Sequence, residues 1–186
     1  MSSPVSYSPL QGLAGTTGLN VKLKELDRFN FTLRGEANNK KFVTAIEKVI
    51  GKLPTNPNTT TTKGDITVIW QSPNEWVLTG SYSKSEKVFN DIEKALKGIH
   101  SALVDVSDYY MSLNISGKKV RSVLEKGCII DLDPDVFKIG TATGTRYEKA
   151  VINLHRESAD SYNIIFRRSF APYLWGHLTH GSREFK

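Results

Sequence analysis

The chain has 186 residues, a formal net charge of +6 from 25 Lys and Arg against 19 Asp and Glu, and 39% hydrophobic residues. That length supplies a core without disulfide or metal staples, and the single cysteine, Cys128, excludes an internal disulfide or a CxxC zinc site, which fits a reducing, cytoplasmic compartment. Basic side chains number 11 against 9 acidic in residues 1–93 and 14 against 10 beyond, so the surplus is spread thinly and predicts a mixed, solvated surface rather than a nucleic-acid face.

Residues 1–20, rich in Ser, Gly, Thr and Pro, have no hydrophobic period and read as an extended arm, unordered or laid along a partner. MSSPVSYSPLQGLAG lacks the basic start and apolar run of a signal peptide, and no stretch approaches the roughly 20 apolar residues of a membrane span. From 21 to 33 apolar residues roughly alternate, predicting a strand or hairpin that ends at Gly35. KKFVTAIEKVIGKL sets Phe42, Ile46, Val49 and Ile50 on one helical face and stops at Gly51. The Pro- and Thr-rich residues 53–65 read as a loop. DITVIW and EWVLTG are two strands joined by QSPN. Ser83 with Glu86 then resembles a capping box for a helix whose inner face is Val88, Ile92, Ala95 and Leu96. A short apolar strand at 102–106 completes β-α-β-β-α-β over residues 21–106, the ferredoxin-like order.

The second half opens the same way, with a strand at 109–115 and a helix, KKVRSVLEKG, entered through Ser116 and Gly117. Strands follow at roughly 141–147, 149–155 and 161–167, then a helix with Ser169 as its expected cap and Pro172 in its first turn. The predicted class is α+β: an arm over 1–20 and two ferredoxin-like sheet-plus-helix halves, 21–106 and 107–186.

Recognisable chemistry is sparse. No GxxxxGK[ST] loop is present, nor a GxGxxG after a strand. His177 and His180 stand three apart on a helix, but no acidic or thiol group is placed to complete a metal site, so a surface pair is expected. Cys128 follows a helix C-terminus, where the dipole is negative, and precedes two isoleucines; an inert, buried thiol is expected, with Gly127 stopping the helix in the left-handed conformation. Asp131, Asp133 and Asp135 have part of a calcium-loop spacing without its glycine or distal glutamate. Asp105 and Asp108 flank the boundary between halves, as turn formers or as a general base in a cleft. The helix start at 116–118 offers free N–H groups to an anion, or a plain cap. No catalytic, cofactor-binding or metal residue is assigned. What stands out is a collection of Trp, Tyr and Arg, the types favoured in interface cores: Trp76, Tyr109, Arg167, Arg168, Tyr173 and Trp175 are the expected subunit-interface set.

Several stretches in order, SPLQGL, LPTNPNT, GDITVIWQSPNEWVL, VDVSD, SGKKVRSVLEKGCIIDLDPDVF, TRYEKAVINLH and RRSFAPYLWGHL, resemble the gamma-subunit family of bacterial heterotetrameric sarcosine oxidases. They cover most of residues 8–180. The resemblance implies the fold of the aminomethyltransferase folate-binding domain. It also implies a non-catalytic place among alpha, beta and delta subunits that demethylate sarcosine oxidatively to glycine, with hydrogen peroxide and a one-carbon unit passed to tetrahydrofolate or released as formaldehyde. FAD, FMN, NAD, the folate site and zinc are implied in those partners, and none in this chain. Asn74 stands where the family pattern suggests an acidic residue, and the Thr run at 59–62 is longer than the pattern needs. No residue matches a folate-coordinating motif, so none is carried over.

Overall fold

The computed structural model describes residues 8–13 and 20–185; most of the expected arm lies outside them. Among the described residues ten strands form two five-stranded antiparallel sheets. The first sheet contains β2 (Arg28–Gly35), β3 (Thr60–Lys63), β4 (Ile66–Ser72), β5 (Glu75–Ser81) and β6 (Ser101–Asp105), in the order β3-β4-β5-β2-β6. Helices α1 (Lys40–Ile50) and α2 (Ser85–Leu96) cover one of its faces.

Alternation in β2 and β5 sends Phe29, Phe31, Leu33, Trp76 and Leu78 to that helical side. They meet Phe42, Ile46 and Ile50 of α1 and Val88, Ile92 and Leu96 of α2. Each such buried side chain contributes about 1.5–3 kcal/mol, which is why the periodic pattern decides the packing. Asn39 caps α1, its Oδ1 accepting from the backbone N–H of Lys41 at 3.0 Å and of Phe42 at 3.3 Å. The capping box expected at Ser83 does not form: Ser83 lies in a 3-10 turn, and its hydroxyl meets that of Ser81 at 3.0 Å.

The second sheet contains β1 (Lys22–Leu26), β7 (Tyr110–Ser116), β8 (Ala142–Tyr147), β9 (Ala150–Ser158) and β10 (Ser161–Arg167), in the order β1-β7-β10-β9-β8. Helices α3 (Val120–Leu124) and α4 (Ala171–Gly181) cover it. The two orders match position by position, β3 with β8, β4 with β9, β5 with β10 and β2 with β7. The last strand of the second unit is supplied by the N-terminal β1, paired antiparallel with β7 from Lys22 opposite Ser116 to Leu26 opposite Ser112.

The strand or hairpin expected over 21–33 is therefore two strands in two different sheets, parted at Asp27, and the boundary drawn at residue 21 does not follow the sheets. Gly117, at φ +122°, lets the lead-in to β1 pass: a Cβ there would stand 2.1 Å from the carbonyl oxygen of Asn20. Ser169, the expected cap of α4, instead sits in the 3-10 turn before it, while the proline falls in the first helical turn as expected.

Candidate functional site

Three places gather the candidate side chains: the seam between the sheets, an aromatic and arginine edge beside it, and the loop after α3.

The sheet faces turned away from the helices meet at the seam, where Ile69, Ala142 and Ile165 form a small apolar cluster. Around it the side chains are short and polar, among them Asn30, Thr67, Thr79, Ser112 and His155, all buried. Asn30 Nδ2 donates to Ser112 Oγ across the sheets at 3.4 Å. The Thr run ties the rims together, Thr60 Oγ1 donating to the carbonyl of Gly140 at 2.8 Å beside an isolated bridge between Thr59 and Thr141. Thr60 Oγ1 also lies 3.4 Å from His155 Nε2. Burial pushes the His155 pKa below its ordinary value and keeps the ring neutral.

A cavity of about 160 Å³ has apolar walls that include Val77 and Ile165 and polar groups that include Gln71, Asn153 and Arg167. Gln71 Nε2 and both amide atoms of Asn153 are buried there with no hydrogen-bond partner among the described residues. A cleft of about 530 Å³, which shares Tyr110 with that cavity, is lined by Glu25, Asp27, Arg28, Asp108 and Arg168 among others. Asp108 thus does face a cleft. Asp105 forms a turn instead, its Oδ1 accepting from the Ser107 backbone N–H at 2.9 Å.

Pairing of Tyr110 with Arg167 across β7 and β10 builds the aromatic edge. The Arg167 guanidinium lies 5.5 Å from the ring centre of exposed Tyr109. That ring meets Tyr110 edge-on at 4.8 Å, and the Arg168 backbone N–H donates to the Tyr109 carbonyl at 2.9 Å. Tyr173 lies elsewhere, half-buried on α4 between Phe170 and His177. The remaining two of the expected interface set are corrected by the structure. Trp76 is fully buried and its indole N–H donates to the Pro54 carbonyl at 2.7 Å, and Trp175 is 7% exposed inside the second core. Large aromatic surface favours burial as strongly as it favours interfaces, and residue type alone does not separate the two.

Cys128 closes an isolated bridge to Tyr147, and burial pushes its thiol up to about 12, so it is protonated at neutral pH. Gly127 is not in the left-handed region. Its need for glycine is steric, because a Cβ would stand 2.8 Å from the Tyr147 ring. Asp131 and Asp133 make successive Asx turns, accepting from the backbone N–H of Asp133 at 2.8 Å and of Asp135 at 2.9 Å.

Sequence reasoning missed Arg156. Its side chain is 6% exposed and donates to four backbone carbonyls: Phe137 at 2.7 Å, and Pro134, Ser158 and Ala159 at 3.4 Å each. The guanidinium also lies 5.9 Å from the ring centre of Tyr162. Nothing in the local pattern HRES signals a buried cation, because its partners are backbone carbonyls, two of them, Pro134 and Phe137, distant in sequence. Among the described residues no group of three or more His, Cys, Asp or Glu could hold a metal ion, and no helix is long and apolar enough to cross a membrane.

Paired antiparallel sheets with outward helices are shared with the glycine cleavage system aminomethyltransferase T of Bartonella henselae, at a TM-score of 0.67 and 12% identity over 87% of this chain and 46% of that one. The class is thus an α+β fold of the aminomethyltransferase type. The model of the sarcosine oxidase gamma subunit family matches residues 34–184, and the chain belongs to that family. The gamma subunit from Corynebacterium sp. strain P-1 is 26% identical over 191 residues, 99% of this chain and 93% of that one. For strain U-96 the match is 26% over 125 residues, 66% of this chain and 60% of the relative's length. A chain of the solved heterotetrameric sarcosine oxidase from strain U-96, in complex with pyrrole 2-carboxylate, superposes with a TM-score of 0.87 at 24% identity, over 97% of this chain and 96% of that one.

Proposed function

We propose that this chain serves as a non-catalytic gamma subunit in a heterotetrameric sarcosine oxidase of the cytoplasm, assembled with alpha, beta and delta partners. The complex demethylates sarcosine oxidatively to glycine, forming hydrogen peroxide and a one-carbon unit that passes to tetrahydrofolate or leaves as formaldehyde. FAD, FMN, NAD, tetrahydrofolate and zinc belong to the partner subunits.

One observation carries the reading: the family match over 34–184 lies on a fold that follows a chain of a heterotetrameric sarcosine oxidase from end to end. The side chains support it, since the lone thiol is protonated and Asp105 is engaged in a turn. Tyr109, Arg167 and Arg168 form one docking edge and Tyr173 a separate contact. Co-expression with the candidate partners tests the reading: the chain co-purifies with them in stoichiometric amount, and omitting it lowers the yield of assembled, active complex. A chain that elutes alone beside a complete and active complex would overturn it.

The unpartnered amides of Gln71 and Asn153 in the seam cavity favour one alternative, a stand-alone folate-binding or one-carbon transfer protein. Titration of the isolated chain with a reduced folate separates the two, because micromolar binding would select the alternative.

A further inference from the structure

After α3 the chain runs from residue 128 to 141 without helix or strand, yet it is held at both ends and from beneath. Cys128 bridges to Tyr147 at one end and Thr141 to Thr59 at the other. Leu132 and Phe137 are buried in the second core, at 1% and 4% exposure. Arg156 binds the carbonyls of Pro134 and Phe137 from below, and the backbone N–H groups of Val136 and Phe137 return to the Asp133 carbonyl at 3.0 and 2.7 Å.

The outer side of this ordered loop is apolar. Ile129, Val136 and Ile139 are 70%, 63% and 61% exposed. They are three of the eight large hydrophobic side chains that the described residues leave exposed, and they fall within eleven residues of sequence. The loop has no visible reason of its own to present them, because Leu132 and Phe137 already anchor it. Aliphatic side chains held out on a pre-organised loop suit association, since little loop entropy is lost on binding.

The charge around them is distinctive. Exposed Asp131, Asp133 and Asp135 stand against exposed Lys138, a local net charge of −2 on a chain whose total is +6. A second copy of the same loop would set like charges opposite each other, so the loop is unsuited to isologous pairing.

We propose that the 129–140 loop is a docking epitope for another subunit of the complex, one offering an apolar contact surface rimmed by Lys and Arg. Ile129, Val136 and Ile139 supply the apolar contact and the aspartates steer the approach. This rests on the subunit reading above.

The test measures association of the purified chain with the remaining co-expressed subunits. Ile129→Ser/Val136→Ser/Ile139→Ser weakens it at least about tenfold, chiefly through faster dissociation. Asp135, whose side chain makes no turn bond, reports on steering: Asp135→Lys slows association at low salt, and the difference fades at high salt. Val104→Ser, on the outer strand β6 at 50% exposure, leaves association unchanged. Should the triple variant lose its fold by circular dichroism, Ile129→Lys alone replaces it, with the same expectation. Wild-type affinity in these loop variants, or an equal loss in Val104→Ser, would overturn the docking assignment while the subunit reading stands. A wild-type chain that never associates would overturn both.

Discussion

Arg156→Leu removes a buried cation whose four acceptors are backbone carbonyls rather than carboxylates. The 2.7 Å bond to the Phe137 carbonyl is short and charge-assisted, the kind of bond that contributes about 1.5–3 kcal/mol. The three bonds at 3.4 Å sit at the long limit and add a few tenths each. Substitution also strands the Phe137 carbonyl beneath the loop. Offsetting part of this, leucine avoids the desolvation of a guanidinium. The net expectation is a loss of about 2–4 kcal/mol, or roughly 4–16 °C in melting temperature for a chain of this size. Urea and thermal unfolding followed by circular dichroism measure the total, and hydrogen exchange at the Val136 and Phe137 amides measures loosening of the loop. Arg156→Lys restores less than half, because one ammonium cannot span four diverging carbonyls. A change below about 0.5 kcal/mol with unaltered exchange at those amides would refute the idea that this side chain holds the loop.

Three further outcomes follow from the same structure. Gly127→Ala places a Cβ 2.8 Å from the Tyr147 ring and costs about 1–3 kcal/mol by overpacking; stability equal to wild type would show that the ring yields freely. With its thiol pushed up to about 12, Cys128 is alkylated by iodoacetamide at pH 8 at least about a hundredfold more slowly in the folded chain than in urea, and Cys128→Ser costs about 1–3 kcal/mol while turnover per assembled complex is unchanged; fast labelling or lost turnover would reopen its role. His155 is held neutral by burial, so the unfolded chain takes up its proton first as pH falls below the ordinary 6.5. Stability from this group is complete above that value and is lost as pH falls toward the lowered folded-state pKa. His155→Asn flattens the melting temperature between pH 7 and 5 relative to wild type, and an equally steep decline in the variant would assign the loss to other groups.

Most strands and helices are legible locally because one face lies in a core, whereas β3, inside the residues 53–65 that read as a loop, has no buried residue to mark it. The 3.6-residue spacing of Phe42, Ile46 and Ile50 and the alternation of Phe29, Phe31 and Leu33 are written in the side chains that are buried. Fine chemistry at element ends was less legible. Ser83 and Ser169 carry the composition of caps, yet 3-10 turns take the positions. Gly127 marks the close of a helix as expected, but for the sake of the Tyr147 ring rather than a left-handed backbone. Of the expected docking residues, Tyr109 and Arg167 do meet at the surface, while Trp76 and Trp175 vanish into cores.

The amino-acid sequence by itself determined the α+β class, the doubling of a sheet-plus-helix unit, most of the elements in their order and the resemblance that the family match bore out, because each rests on short-range periodicity or on residues in fixed order. Tertiary structure alone decided that β1, with Leu23 as its single fully buried residue, closes the second sheet while β2, one residue away, lies in the first. It alone seated Arg156 under a loop contributed by residues about twenty positions earlier. The reason is common to both: strand partners and carbonyl acceptors are chosen by backbone groups that every residue possesses, so the choice leaves no mark on the side chains until the chain has folded.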